Sequence, residues 1–318
     1  MIHRRAVTTT LGAALIGLSG FAAHAQQAQE VYIPLVSKGF QHQFWQAVKS
    51  GAEQAAKDFK VKVTFEGPET EAMVDKQIDM LSAALAKKPQ AIGFAALDSQ
   101  AAIPLLKKAQ AAKIPVVAFD SGVDSDIPVT TTTTDNKAAA ALAADKMAEL
   151  IGKSGEVALV VHDQTSRTGV DRRDGFVNRI KSAYPNIKIV SVQYGGGDQL
   201  KSTEITKSIL QASPNLKGIF GANEGSAIGV VNGVKEMKRN GKVVIIGYDS
   251  GKQQKNAIME GSMAGAITQN PVGMGYKTVE MAVKAIKGEK LPKVVDTGFY
   301  WYDKTNIADP KIASVLYD

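Results

Sequence analysis

The sequence predicts an α/β chain made of two similar lobes, each a doubly wound parallel sheet covered by helices on both faces. Three observations predict it. Short Val- and Ile-rich runs alternate with longer helical stretches, the pattern of parallel strands joined by crossover helices. One strand–helix–strand unit occurs twice. At 318 residues with no cysteine, the chain is long enough to bury two cores without disulfides.

The first residues read differently from the rest. Arg4 and Arg5 precede an uncharged, apolar or hydroxylic stretch that ends in Ala23-His24-Ala25. This is the three-part pattern of a secretory signal peptide of residues 1–25, with cleavage after Ala25. The apolar stretch of residues 11–23 is too short to span a bilayer comfortably. Two of the 38 basic residues and none of the 31 acidic ones precede that point, so cleavage lowers the formal net charge from +7 to +5. The remaining charge is spread thinly, without the clustered Lys and Arg of a nucleic-acid footprint. Without cysteine there is no thiol chemistry and no lipid anchor. An exported, untethered protein is retained only by a second membrane, so the expectation is the periplasm.

Strands are expected at 31–36, 61–65, 91–95, 115–119, 156–161, 187–192, 218–221 and 243–248. Helices are expected at 44–59, 71–86, 100–112, 137–151, 173–184, 202–212, 226–238 and 275–286. The repeated unit runs from residue 91 to Ser121 and from residue 218 to Ser250. In each copy the second strand ends aromatic-Asp-Ser, at Phe119-Asp120-Ser121 and Tyr248-Asp249-Ser250. Ligands of open parallel sheets sit beyond the carboxyl ends of the strands, so two facing lobes would place Asp120 and Asp249 on opposite rims of one cleft.

Between the first strand and the first helix lie His42, Phe44 and Trp45, in a chain with only two tryptophans. An aromatic face there suits the C–H face of a sugar ring, although both rings also fit a helix core. Sugar hydroxyls donate and accept, so their site needs carboxylates, a multi-donor Arg and bifunctional amides. Asp120, Arg172, Asn223, Asp249 and Gln269 supply that set at loop starts, with Asp120 and Asp249 as paired acceptors and Arg172 as principal donor. An enzyme is disfavoured. His162, Asp163 and Ser166 are close in sequence, but a triad is a spatial arrangement, and no phosphate loop, dinucleotide fingerprint or metal-ligand spacing is present. No cofactor is expected.

These stretches resemble the ribose-binding branch of the type I periplasmic binding proteins. The resemblance covers nearly all of the chain after residue 25. It rests on Leu35-Val36-Ser37 followed by Phe44-Trp45, Ile114-Pro115-Val116-Val117-Ala118-Phe119-Asp120, Thr133-Thr134-Asp135-Asn136, Asp171-Arg172-Arg173-Asp174-Gly175-Phe176, Gly221-Ala222-Asn223-Glu224, Ile246-Gly247-Tyr248-Asp249, and Ala266-Ile267-Thr268-Gln269-Asn270-Pro271. It implies sugar stacking on Phe44 and Trp45, and hydroxyl binding by Asp120, Arg172, Asn223, Asp249 and Gln269. Ser37, His42, Ser121, Asp163 and Arg167 join the candidate set as further polar contacts. The implied function is capture of a monosaccharide or polyol between two lobes for the permease of an ABC importer. A chemoreceptor is a compatible second partner, a sugar acid an alternative ligand, and a monomer is expected. The lobes would be 26–134 with 270–298 and 135–269 with 299–318, joined by a three-crossing hinge. Two departures imply a ligand that is larger than ribose, differently substituted or more hydroxylated: Ser121 stands where ribose binders have Arg, and Gly195-Gly196-Gly197 stands near a missing ring. Lactose-repressor-type regulators share the fold but begin with a helix-turn-helix, where this chain has its leader.

Overall fold

The structure, a computed structural model, describes residues 1–2 and 30–318. The expected leader and cleavage point fall largely on residues 3–25, outside the described residues. Residues 31–318 form one compact unit, which holds every described strand and helix. Among the described residues, no helix is long and apolar enough to cross a membrane.

The first half runs β1 (Tyr32–Val36), α1 (Gln43–Phe59), β2 (Lys62–Glu66), α2 (Val74–Ala86), β3 (Ile92–Phe94), α3 (Ile103–Ala111), β4 (Val116–Phe119), β5 (Thr130–Thr133), α4 (Asn136–Leu150) and β6 (Gly155–Val161). The second runs α5 (Arg167–Ala183), β7 (Ile187–Tyr194), α6 (Gln199–Ala212), β8 (Leu216–Gly221), α7 (Glu224–Glu236), β9 (Val244–Tyr248), α8 (Lys252–Met259), β10 (Gly265–Gln269), α9 (Pro271–Ile286), β11 (Val294–Asp296), β12 (Phe299–Tyr302) and α10 (Pro310–Ala313).

Two six-stranded sheets result, in the orders β2-β1-β3-β4-β5-β11 and β7-β6-β8-β9-β10-β12. Every pairing is parallel except β10 with β12. Central strands such as Val116–Phe119 are buried throughout, as an apolar run covered on both faces must be. Each sheet is sandwiched by two clusters. Phe44, Trp45, Phe119 and Met274 belong to one side of the first sheet, and Leu81, Phe94 and Leu106 to the other. Phe176, Phe220 and Tyr248 pack one face of the second sheet, and Ile219, Ile245 and Tyr302 the other. The two-lobed α/β class expected from the sequence is the class found.

The chain passes between the sheets three times: from β5 to α4, from β10 to α9, and from β11 to β12. At two of these passages Thr134 donates through Oγ1 to Gln269 Oε1 at 2.9 Å. Some elements differ from expectation. β5 is four threonines without an apolar run, yet Thr130 and Thr132 are buried and the Thr132 hydroxyl meets that of Thr278 at 2.7 Å. α5 begins at Arg167 rather than at residue 173, because Ser166 caps it by accepting from Gly169 N at 3.1 Å. β10 has no counterpart among the expected strands, being short and ending in Thr268-Gln269, but all five of its residues are buried.

Candidate functional site

The two strand-end aspartates of the repeated unit share an unusual backbone. Asp120 has φ +55° and Asp249 φ +81°, the left-handed region that costs non-glycine residues energy and that Asp and Asn tolerate best. In each copy the backbone amide is anchored to a neighbouring strand, Asp120 N to Thr132 O at 2.9 Å and Asp249 N to Ile267 O at 2.7 Å. This turn lifts both side chains off the carboxyl edges of β4 and β9, into one cavity between the sheets.

That cavity occupies about 250 Å3, solvent mouth included, and is lined by Lys38, His42, Phe44, Trp45, Glu71, Asp120, His162, Thr168, Arg172, Asn223, Asp249 and Gln269. Eight of the twelve candidates read from the sequence thus meet in one place, from both lobes. Phe44 and Trp45 are both core and wall. Each is less than a twentieth exposed, and their rings meet edge to face with centroids 4.9 Å apart. Trp45 is fixed further by Nε1 donating to Glu71 Oε1 at 2.7 Å.

Arg172 enters from the second lobe, on α5. Its guanidinium lies over the Tyr248 ring, 3.8 Å from the centroid, while Nε donates to Asn136 Oδ1 at 2.7 Å and Nη1 to Ala222 O at 2.9 Å. Three of its five N–H groups remain uncommitted to these bonds. Tyr248, Asp249, Asp120 and Glu71 outweigh burial and raise its pKa, so it is a permanent cation. Asn223 caps α7 through Oδ1, accepting from Ser226 N at 2.9 Å, and directs Nδ2 to Glu71 Oε2 at 3.4 Å across the cleft.

The paired aspartates are not equivalent. Asp249 accepts from Gln269 Nε2 at 2.7 Å through Oδ1 and from Glu224 N at 2.9 Å through Oδ2. The Asp120 carboxylate is 4% exposed and accepts no hydrogen bond from any described residue. Burial, with Glu71 and Asp249 nearby, pushes its carboxyl up to about 6 against the pull of Lys38 and Arg172. Glu71 goes the other way. Burial opposes ionisation, but Lys38, His42, His162 and the Trp45 bond prevail and hold it at about 2. His162 is 3.6 Å from Asp163, yet burial and Lys38 hold its imidazole well below its ordinary range, so the two are not an ion pair at neutral pH.

Four candidates lie outside the lining. Ser37 is tied down by Oγ donating to Gly39 O and Glu66 O, which shapes the turn after β1. Ser121 is buried behind Asp120, with its amide on Phe119 O. Asp163 is occupied by the turn before α5, accepting from Thr165 N, Ser166 N and Ser166 Oγ. Arg167, at the first turn of α5, is half exposed and pairs with Asp124 across the cleft rim. Of the glycine run, Gly197 packs beside the lining: a Cβ there would stand 3.0 to 3.2 Å from Asn223, Glu71 and His42.

Lys38, Glu71, His162 and Thr168 line the cavity without belonging to the candidate set. His162 directly follows β6, a positional signal shared with the aspartates, and Lys38 stands two residues beyond the end of β1. Thr168 falls before the start that the sequence suggests for α5. Glu71 falls at the expected start of a helix, whereas α2 begins at Val74. Lys38 Nζ donates to Thr168 Oγ1 at 3.1 Å, so this part of the lining also bridges the lobes.

The D-allose-binding periplasmic protein of Escherichia coli is 29% identical over 290 residues, which cover 89% of this chain and 91% of that protein. Among solved structures, an Agrobacterium radiobacter carbohydrate transporter solute-binding protein in complex with D-arabinose superposes with TM-score 0.87 at 34% identity. It covers 91% of this chain and 99% of its own. An Agrobacterium vitis ABC transporter solute-binding protein bound to α-D-tagatopyranose gives TM-score 0.88 at 28% identity, covering 91% of this chain and all of its own. The profile of the periplasmic binding protein domain matches residues 33–290, and the chain belongs to that family.

Proposed function

We propose that this protein is exported to the periplasm, captures a neutral monosaccharide or related polyol between its lobes, and delivers it to the permease of an ABC importer. It is a binding protein and not an enzyme; the sugar leaves as it entered. The observation that carries the reading is the convergence, from both sheets, of an aromatic wall with separate acceptors and donors on one cavity. Phe44 and Trp45 cover the C–H face of the ring, which removes apolar surface from water without using a hydroxyl. Asp120 takes two neighbouring hydroxyls by charge-assisted bonds. Arg172 and Asn223 donate to ring and hydroxyl oxygens, and Asp249 and Gln269 complete the acceptors.

Charge supports a neutral ligand. Two basic side chains, Lys38 and Arg172, stand among three acidic ones, Glu71, Asp120 and Asp249. A sugar acid would add a fourth negative group to this set. The relatives named above bind D-allose, D-arabinose and D-tagatose, which places pentoses and hexoses first among ligands to try. The lobes are taken as 26–134 with 270–298 and 135–269 with 299–318, closing about the three passages between the sheets.

The test is a thermal-shift screen of the protein lacking residues 1–25 against pentoses, hexoses, polyols and sugar acids. A ligand that binds only the folded state raises the melting temperature, by an increment that grows with concentration. A neutral sugar should give the largest rise, insensitive to salt because no ligand charge is screened. A response confined to sugar acids, steeply salt-dependent, would move the ligand class.

A further inference from the structure

Two helices that face each other across the cleft lack caps of their own. The residue before α1, His42, makes no side-chain capping bond, and the first turn of α1 holds no acidic residue. The residue before α8 is Gly251, which has no side chain to cap with. The first amides of a helix have no intrahelical acceptor and need one from elsewhere. Both helices find theirs in the opposite lobe. Glu224, at the start of α7, accepts from Gln43 N through Oε1 and from Phe44 N through Oε2, each at 3.1 Å. Gln43, at the start of α1, accepts through Oε1 from Lys252 N of α8 at 2.7 Å. A carboxylate at a helix N-terminus also meets the positive end of the helix dipole.

We propose that Glu224 and Gln43 form a reciprocal clasp, each capping a helix of the opposite lobe, that exists only when the lobes are closed and so sets how long a ligand is retained. The proposal rests on the sugar-binding reading, but neither residue lines the cavity, so the clasp is indifferent to which sugar is inside. It also explains the local sequence. Gly225, beside Glu224, lies so near Gly197 that a Cβ there would come 1.8 Å from Gly197 O and 2.7 Å from His42 Cε1. The first loop of one lobe therefore seats into a side-chain-free slot of the other, and Phe44 is held at the cavity wall by its own amide. Glu224 is a positioning residue: it acts on the ligand through Phe44 and through the closed state.

The test uses two variants of the full exported chain. Glu224→Gln keeps the size but turns one oxygen into a donor facing a donor. Gly251→Ala keeps the charge; its backbone, at φ −57°, suits alanine, but the new Cβ would lie 2.9 Å from both Gln43 Oε1 and Glu224 Oε1. Amide hydrogen exchange is read at Gln43, Phe44 and Lys252, and dissociation of the tightest sugar of the thermal-shift panel by stopped flow. Glu224→Gln should speed exchange at Gln43 and Phe44 while the rest of α1 is unchanged. Both variants should release sugar roughly tenfold faster, the effect of losing about one net hydrogen bond to a charged group, by a factor alike for every sugar bound. Unchanged exchange and release in both variants overturns the clasp, as does acceleration for one sugar only. If no sugar stabilises the parent, the binding reading fails by itself. Exchange is then read with the lobes held shut by a disulfide across the rim, from Asp124→Cys and Arg167→Cys: faster exchange in Glu224→Gln sustains the clasp, and equal exchange overturns it.

Discussion

Asp120 is the residue on which the chemistry of the cavity turns. It is buried and held at positive φ, and its carboxylate accepts nothing from the described residues around it. A carboxylate placed so is poised for a ligand. Because its carboxyl titrates at about 6 and a sugar prefers the ionised acceptor, binding should release protons, and affinity should fall as pH drops through about 6. The stability linkage has the opposite sense. A carboxyl raised from its unfolded value contributes stability below about 4 that is lost as pH rises through about 6. Asp120→Asn removes that loss, so the variant should melt no lower than the parent at pH 8 while its pH-dependent affinity flattens. Differential scanning calorimetry with titrations at pH 5 and 8 checks both. Asp249 differs, since its two oxygens hold Gln269 and the Glu224 amide; Asp249→Asn should lower melting temperature and affinity together. Trp45 combines wall and core, so Trp45→Ala should cost on the order of 2 kcal/mol in sugar affinity and also lower stability. Trp45→Phe should recover most of the stability but lack the indole bond that orders Glu71. Ligand affinity that is undiminished in Trp45→Ala would make the ring core alone.

At the scale of elements, the strand-end turns and the glycine loop decide how the lobes meet. Gly197 has φ +68°, and a Cβ there would stand 3.0 to 3.2 Å from Asn223, Glu71 and His42. Gly197→Ala therefore combines left-handed strain of about 1 kcal/mol with a wedge between lobes. The expected result is sugar affinity reduced more than tenfold with a small fall in ligand-free melting temperature, measured on the same sample by calorimetry. Equal losses in both would mean the strain is local to one lobe. The contrast between elements also shows what is legible in the sequence. The repeated aromatic-Asp-Ser ending locates the two aspartates, and Val- and Ile-rich runs locate the central strands, because burial on both faces leaves a continuous apolar signature. The threonine strand β5 leaves none, since its hydroxyls are satisfied inside the fold by partners far along the chain, such as Thr278. Glu71 and Lys38 escape notice for a related reason. Nothing local tells a solvated charge from one buried against opposite charges on another lobe. The polarity of Asp163 and Arg167 suggests ligand contacts, but it serves a turn and a rim pair.

For the whole molecule, closure is the functional coordinate. Bonds across the cleft lie on opposite sides of the cavity: Glu224 with Gln43 and Phe44 on one, and Ser99 N with Thr165 O at 3.1 Å and Asp124 with Arg167 on the other. Such contacts open together when two lobes swing about the three passages between their sheets. Solution scattering should show the radius of gyration falling on saturation with sugar, and falling less for Glu224→Gln at equal subsaturating ligand. An unchanged radius at saturation would mean that the cleft does not move. The central claim, however, is that this cavity binds a neutral monosaccharide through Asp120. Isothermal titration of the parent and of Asp120→Asn with the best sugar from the screen addresses it directly. The expected result is one sugar per chain, affinity little changed by added salt, and a loss of tens to hundreds of fold in Asp120→Asn, the scale set by about 1.4 kcal/mol per decade. Equal affinity in parent and variant would contradict it.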